Sequence, residues 1–422
     1  MGQGMGRSRM VLAVYLPTVL LAFGQGMLLA TLPLYADGFD VSYTWVSIAV
    51  SAAALGTLVT DVPAGALLGW IGLRRAMIGG TTLVVIGTVA SIAVDSLAWF
   101  IAMRVLAGVG TALWGLSRHA FIAEAVPAAG RGQAISTFGG INRVGVLGGP
   151  AIGGLIGGAF GLQAPFVVSG VLAAAALGVA LRWIPTVDRS APRTAHRHRW
   201  SLVATLARTH RRDLAAAAIA QTFAQMIRQG RHFIIPLYGA ERIGLDAAQI
   251  GLIMTVAAVL DASMFFPAGL LMDRFGRKVA AVPSFAVMAV GVSLIPSTDS
   301  FASLLLAAVV IGFGNGLGSG TMMTLGADLA PRGATGEFLG VWRLIGDVGQ
   351  VGGPIVVGTM AGVLGLGRSA YVLAAVGVAA TLTLAFLVRE TRQSPIDDED
   401  PFERRPAPTA RPVAAGSVTD RR

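Results

Sequence analysis

Apolar positions gather into twelve long blocks separated by short polar stretches, at about 10–34, 43–70, 75–95, 97–119, 131–157, 163–184, 213–238, 247–272, 277–297, 300–328, 333–362 and 368–388. About 20 apolar residues carry a helix across a bilayer core, so each block predicts a membrane-spanning helix, numbered span 1 to span 12 in chain order. The expected fold is an all-α membrane protein. The first block carries Pro17 and Pro33, is long, and lacks a small-residue cleavage site. It is expected to remain in the mature chain rather than act as a signal peptide.

Composition strengthens the pattern. Of 422 residues, 54% are hydrophobic and 13% charged, with mean hydropathy +0.70, whereas soluble domains carry about 25% charge. Lipid must be the solvent for most of the chain, which excludes a soluble enzyme on a single anchor. The chain has no Cys, hence no thiolate nucleophile and no sulfur-ligated metal. His119, His196, His198, His210 and His232 are scattered without metal spacing. No G-x4-G-K-[ST] string argues for direct ATP drive. Neither an enzyme nor a cofactor or metal site is expected.

The net charge of +10 encodes orientation before it suggests a ligand, and nucleic acid is not an expected partner. Of 32 basic residues, 24 fall at the ends of the chain and in loops on their side, while the opposite loops hold only Arg242 and Arg368 with six acids. The positive-inside rule then puts both termini and the basic linker in the cytoplasm of a cell (inner) membrane. Arg104, Arg118, Arg143, Arg228, Arg231 and Arg343 fall inside predicted spans, as do Asp61, Asp261 and Asp347. Charges at membrane depth normally face a bundle interior or a watery cavity.

An offset of 204 residues aligns Pro63 with Pro267, Gly72 with Gly276, Gly108 with Gly312, Glu124 with Asp328, Gly145 with Gly349 and Pro150 with Pro354. The chain therefore divides into a six-span half at 1–184, a basic linker at 185–212, a second half at 213–389 and a tail from 390 to 422 of disorder-type composition. The linker is either a solvated tether or a strip against anionic headgroups. Two parallel halves with a site between them form a recurrent transporter architecture.

Several strings carry chemistry. The turn between spans 8 and 9 runs from Gly269 through Asp273, Arg274, Gly276 and Arg277 to Lys278; its counterpart keeps Gly65, Gly72, Arg74 and Arg75 but has Gly69 and Trp70 in place of the Asp-Arg pair. After span 4 come Glu124, Pro127, Arg131 and Gly132, echoed by Asp328 and Pro331. Span 5 carries Gly145, Gly149, Pro150, Gly153 and Gly154, a small-residue spacing that permits close helix approach. Span 4 carries Arg104, Gly108 and Gly110.

These strings resemble those of the major facilitator superfamily, and of its twelve-helix drug/proton antiporters in particular. The resemblance implies that Asp273, Arg274, Arg277, Glu124, Arg131 and Asp328 belong to a network gating the cytoplasmic side, with the first-half latch altered. It implies that Gly145, Gly149, Pro150, Gly153 and Gly154 gate the outer side, although Ser136 replaces an expected glycine; generic packing is the alternative. It also implies that Arg104 tunes a nearby carboxylate in proton coupling, although Ala107 stands where Gln is common.

Proton coupling needs a carboxylate whose affinity changes with its surroundings; Asp61, Asp261 and Asp347 are the candidates, with Arg104 beside them. Gln221, Gln225, Arg228 and His232 form one stripe on span 7, and Arg343, Asp347 and Gln350 another on span 11. Gln25, Thr111, Arg143 and Asn315 complete the expected substrate ligands. The repeat sets Arg143 opposite Asp347, a pair across the halves serving either as clasp or as coupling site. The expected function is proton-coupled efflux of small amphipathic compounds by alternating access, in a monomer whose partners are substrate, protons and lipid. Uptake of a sugar or organic anion is one alternative, and a non-transporting receptor or lipid-handling scaffold another.

Overall fold

The computed structural model describes residues 11–93, 96–125, 128–185, 194–331 and 333–391. Pro127, the linker residues Arg189 and Arg193, Arg332 and the tail from Arg392 lie outside the described residues, as do the side chains of Glu124 and Arg131.

Secondary structure among the described residues is helical throughout. Spans 1 to 6 comprise Leu16–Asp37, Tyr43–Ile71, Leu73–Ala90, Leu97–Ala125, Ala128–Phe160 and Ala164–Trp183. Span 7 is Arg211–Tyr238, span 9 Arg277–Leu294, span 11 Thr335–Leu364 and span 12 Leu366–Leu382. Among the described residues, ten helical stretches are long and apolar enough to cross a membrane. Span 7 is more polar, carrying Gln221, Gln225, Arg228, Gln229 and Arg231, and in span 5 the apolar stretch is the shorter Gly145–Phe160.

Two spans predicted as continuous are broken. Span 8 consists of Ala247–Ser263 and Phe265–Phe275; Pro267 lacks an N–H and crowds the carbonyl of Ser263, four residues earlier. Span 10 consists of Phe301–Leu317 and Thr321–Asp328. Its break holds Gly318 and Gly320, the latter at φ 79° in the left-handed region that a side chain disfavours. The Gly318 carbonyl freed there accepts from the Arg228 guanidinium at 2.9 Å and the Thr321 hydroxyl at 2.7 Å.

Packing obeys the sequence repeat. Span 1 lies on spans 5 and 6, span 3 on spans 4 and 6, and span 2 on span 4; spans 7 to 12 reproduce each pairing six spans later. The halves meet along two seams, span 2 on span 11 and span 5 on span 8, which the repeat also exchanges. A further helix, Thr194–Thr209, occupies the linker and packs against spans 7 and 11. It was not legible as a block because basic and apolar residues mix along it.

Candidate functional site

Each seam is built from small residues at the bundle end remote from the basic loops. On span 5, Gly145, Gly149 and Gly153 face Ala22, Gly26 and Met27 of span 1, whereas Pro150 and Gly154 face Gly251 and Ala247 of span 8. A Cβ at Gly154 would run into the Ala247 carbonyl, so backbone contact between the halves there depends on glycine. The predicted gating string thus divides: three glycines hold one half together, and Pro150 and Gly154 join the two halves.

Farther in, Ser51 donates its hydroxyl to the Val351 carbonyl at 3.1 Å, and the Ala151 N–H donates to the Thr255 hydroxyl at 2.9 Å. Ser51 and Thr255 are repeat-equivalent, so both seams carry a hydroxyl bridge at one depth. Above them the Tyr43 hydroxyl donates to the Glu241 carboxylate across the halves.

Both seams end at charged positions near mid-bundle. Asp61 and Asp347 flank one guanidinium, with Arg343 Nε 3.3 Å from Asp61 and 3.8 Å from Asp347. Gln350 donates to Asp347 at 2.6 Å. On the other seam the Arg143 guanidinium lies 3.8 Å from the centre of the Phe265 ring. The expected Arg143–Asp347 pair does not form. A two-fold relation carries the contact between 143 and 265 onto the contact between 347 and 61, so equivalent residues sit on opposite sides of the axis instead of meeting.

Between the seams lies a cavity of about 550 Å³. Of the expected substrate ligands, Gln25, Thr111, Arg143, Gln221, Gln225, Arg228 and Arg343 line it, together with Asp347. Sequence reasoning missed Met322, Met323 and Trp342, which line the same wall; as apolar residues in an apolar segment they gave no signal. Met323 is 58% exposed and the Arg343 side chain 41%, which places the cavity mouth toward the basic end. Gln25 and Thr111 bond to each other at 3.4 Å.

Three expected residues lie elsewhere. Asn315 donates to Asp261 at 2.5 Å, and Arg231 Nη2 approaches the same carboxylate at 3.7 Å, beside a smaller cavity of about 110 Å³ that His232 also lines. Asn315 therefore positions Asp261 instead of lining the central cavity. Arg104 has no carboxylate within ion-pair distance among the described residues, and its Nε lacks a hydrogen-bond partner.

At the basic end Arg277 pairs with Asp328 at 2.8 Å, joining the span 8–9 turn to the end of span 10. Arg274 stacks on Phe275, while Asp273 is exposed and forms no ion pair among the described residues. Glu390, placed by composition in the tail, accepts from the backbone N–H groups of Arg277 and Lys278 at 2.9 Å each and so caps span 9 just after Gly276, whose φ is 104°. Lys278 donates to the Ala385 carbonyl, as its equivalent Arg74 does to those of Leu181 and Ile184.

The sequence model described as Major Facilitator Superfamily matches residues 14–229 and 217–418. An uncharacterized MFS-type transporter of Methanocaldococcus jannaschii is 21% identical over 359 residues, 84% of this chain and 92% of its own. The class C tetracycline resistance protein of Escherichia coli is 26% identical over 302 residues, 68% and 74% of the two chains. Among solved structures, a bacterial homologue of the human lysosomal transporter Spinster, inward-facing and occupied, superposes with TM-score 0.75 over 90% or more of each chain, 93% and 100%, at 16% identity.

Proposed function

Because the chain belongs to the major facilitator superfamily and is therefore a multi-pass membrane transporter of small molecules, we propose that it is a proton-coupled exporter of small amphipathic compounds working by alternating access. The observation that carries this reading is the Asp61–Arg343–Asp347 cluster, which joins the two halves and reaches the wall of the central cavity. Two carboxyls gathered at one arginine repel when both are ionised, and a proton or a cation relieves that repulsion. Gaining or losing a proton there changes the strength of one seam between the halves.

The basic loops support a cavity mouth on the cytoplasmic side, from which substrate enters between the halves. Rocking about the seams would then separate Tyr43 from Glu241 and Gly154 from Ala247, opening the outer side. A proton arriving from outside at Asp61 or Asp347 resets the cluster, and its loss to the cytoplasm completes the cycle. Arg143, Gln221, Gln225 and Arg228 orient the substrate, and Met322, Met323 and Trp342 offer apolar surface to its body. Likeness to a tetracycline resistance protein supports the outward direction.

One observation favours a second reading, uptake of an organic anion: Arg143, Arg228 and Arg343 line the cavity against a single acid, Asp347. Purified protein in liposomes, given an imposed pH gradient and a panel of cationic dyes, antibiotics and anionic metabolites, tests both. Export predicts proton-driven movement out of the compartment facing the basic loops. Counterflow of an anion toward that compartment supports uptake, and flux indifferent to the gradient defeats proton coupling.

A further inference from the structure

The linker helix, Thr194–Thr209, has two unlike faces. Val203 and Leu206 pack into the core shared with the spans, while Trp200, Ala204 and Arg208, spaced by four, lie exposed along the other side. His210 leaves helical values at φ −112° and ψ 33°. The helix therefore stops short of span 7 and is a separate rod resting on spans 7 and 11.

Tryptophan marks the level of its outer face. Trp45 and Trp99 are exposed at the starts of spans 2 and 4, remote from the basic loops, and Trp70 and Trp183 at the ends of spans 2 and 6, beside them. Indole rings collect where hydrocarbon meets headgroups, so these residues outline both membrane surfaces. Trp200, 46% exposed on a helix joined to the basic end of span 7, is a third member at that end. Charge follows the same face: from Arg189 to Arg212 the chain has seven Arg and no acid. Arg208, Arg211 and Arg212 are exposed, and the next acid, Asp213, pairs with Arg389. An exposed indole beside basic residues, with an apolar face turned inward, suits a helix lying at an anionic interface.

We infer that the outer face of the linker helix docks on the anionic lipid headgroups of the leaflet at the basic end, with Trp200 entering the interface and Arg208, Arg211 and Arg212 meeting lipid phosphates. A soluble polyanion would satisfy the charge, whereas headgroups satisfy the charge and the placement of Trp200 together. Because the helix packs on spans 7 and 11, lipid held there is held by the second half. The inference is independent of substrate, direction and proton coupling.

The test puts one probe on that face of the full-length protein. Ala204→Cys supplies the only thiol in a chain without Cys and keeps Trp200 and Arg208, one turn to either side. The thiol is labelled with bimane, and the protein is placed in nanodiscs of phosphatidylcholine or of equal parts phosphatidylcholine and phosphatidylglycerol. Quenching by lipids that carry a nitroxide on the headgroup is the readout. The expected result is quenching at least about twofold stronger in the anionic discs, a difference that fades as salt screens the charges. Combined Arg208→Gln, Arg211→Gln and Arg212→Gln should bring the two compositions to parity, and Trp200→Ala should lower quenching in both. Equal quenching in the two compositions with all arginines present overturns the inference. Should the triple variant not purify as a monodisperse protein, the salt series decides: a difference lost at high salt supports headgroup docking, and one that persists unchanged counts against it. If a short RNA shields the label from iodide more strongly than the anionic bilayer does, the face belongs to a soluble polyanion and the inference fails.

Discussion

The guanidinium of Arg143 lies 3.8 Å over the centre of the Phe265 ring, at positions that the 204-residue repeat carries onto Asp347 and Asp61. One seam is therefore closed by a cation on an aromatic face, the other by two carboxyls and an arginine. A cation–π contact contributes about 0.5–2 kcal/mol. Phe265→Leu should weaken the span 5–8 seam by that order and leave the pH dependence of transport unchanged, because no titrating group is removed. Transport rate against pH for both proteins checks this, and a displaced profile counts against it.

Asp61→Asn and Asp347→Asn each take one carboxyl from the cluster. The expected outcome is loss of pH-gradient-driven flux by about tenfold or more, with exchange of labelled for unlabelled substrate retained, since exchange needs no net proton movement. If driven flux survives in the double variant, proton coupling lies elsewhere, and Asp261 becomes the group to replace.

Burial raises the Glu241 carboxyl above its usual range; the Tyr43 hydroxyl opposes this, the neighbouring Asp37 adds to it, and Arg242 opposes it. Closure of the outer side thus favours protonated Glu241. Its contribution to closure is complete below the ordinary Glu value of about 4.3 and is lost as pH rises through the raised one. Ser47 is fully buried in the span 2–11 seam near Gly358, and the chain has no native Cys, so Ser47→Cys reports opening by thiol labelling. Labelling should quicken as pH climbs through that window, and the trend should vanish in Glu241→Gln.

Gly149 and Gly154 separate two roles within one string. Either acquires a backbone clash when given a side chain, and overpacking costs about 1–3 kcal/mol. Gly149→Val should lower the melting temperature, because span 1 and span 5 belong to one half. Gly154→Val should instead open the outer side and quicken Ser47→Cys labelling. The same response from both variants would remove the distinction.

Glu390→Ala removes the cap of span 9 and should destabilise the protein by about 0.5–2 kcal/mol, read as a lower melting temperature. Removal of residues 392–422 should leave it unchanged, since both backbone bonds end at Glu390.

The spans and the central wall were legible because membrane burial is unforgiving: an arginine or glutamine on an apolar helix must face protein or water, so Gln221, Gln225 and Arg228 declared one face of span 7. Pairing was not legible. The repeat identifies equivalent positions, and an axis between the halves keeps equivalent residues apart, which is why Arg143 meets Phe265 and Asp347 meets Asp61. Nor was Glu390, whose capping depends on where the end of span 12 returns. The breaks at Met264 and Gly318 lay within blocks that hydropathy reads as continuous, since a kink changes hydrogen bonding and leaves apolarity unaltered.

In the proposed mechanism, the difference between the two seams gives the cycle a sense. Were both closed by the same chemistry, a proton would loosen them alike and the halves could part without rotating. With Phe265 where its counterpart is Asp61, only the span 2–11 seam carries the carboxyl pair on which the proposed coupling rests, and in that proposal the other seam serves as a fulcrum. On that proposal, the departure from internal symmetry is what turns a chemical gradient into a directed tilt.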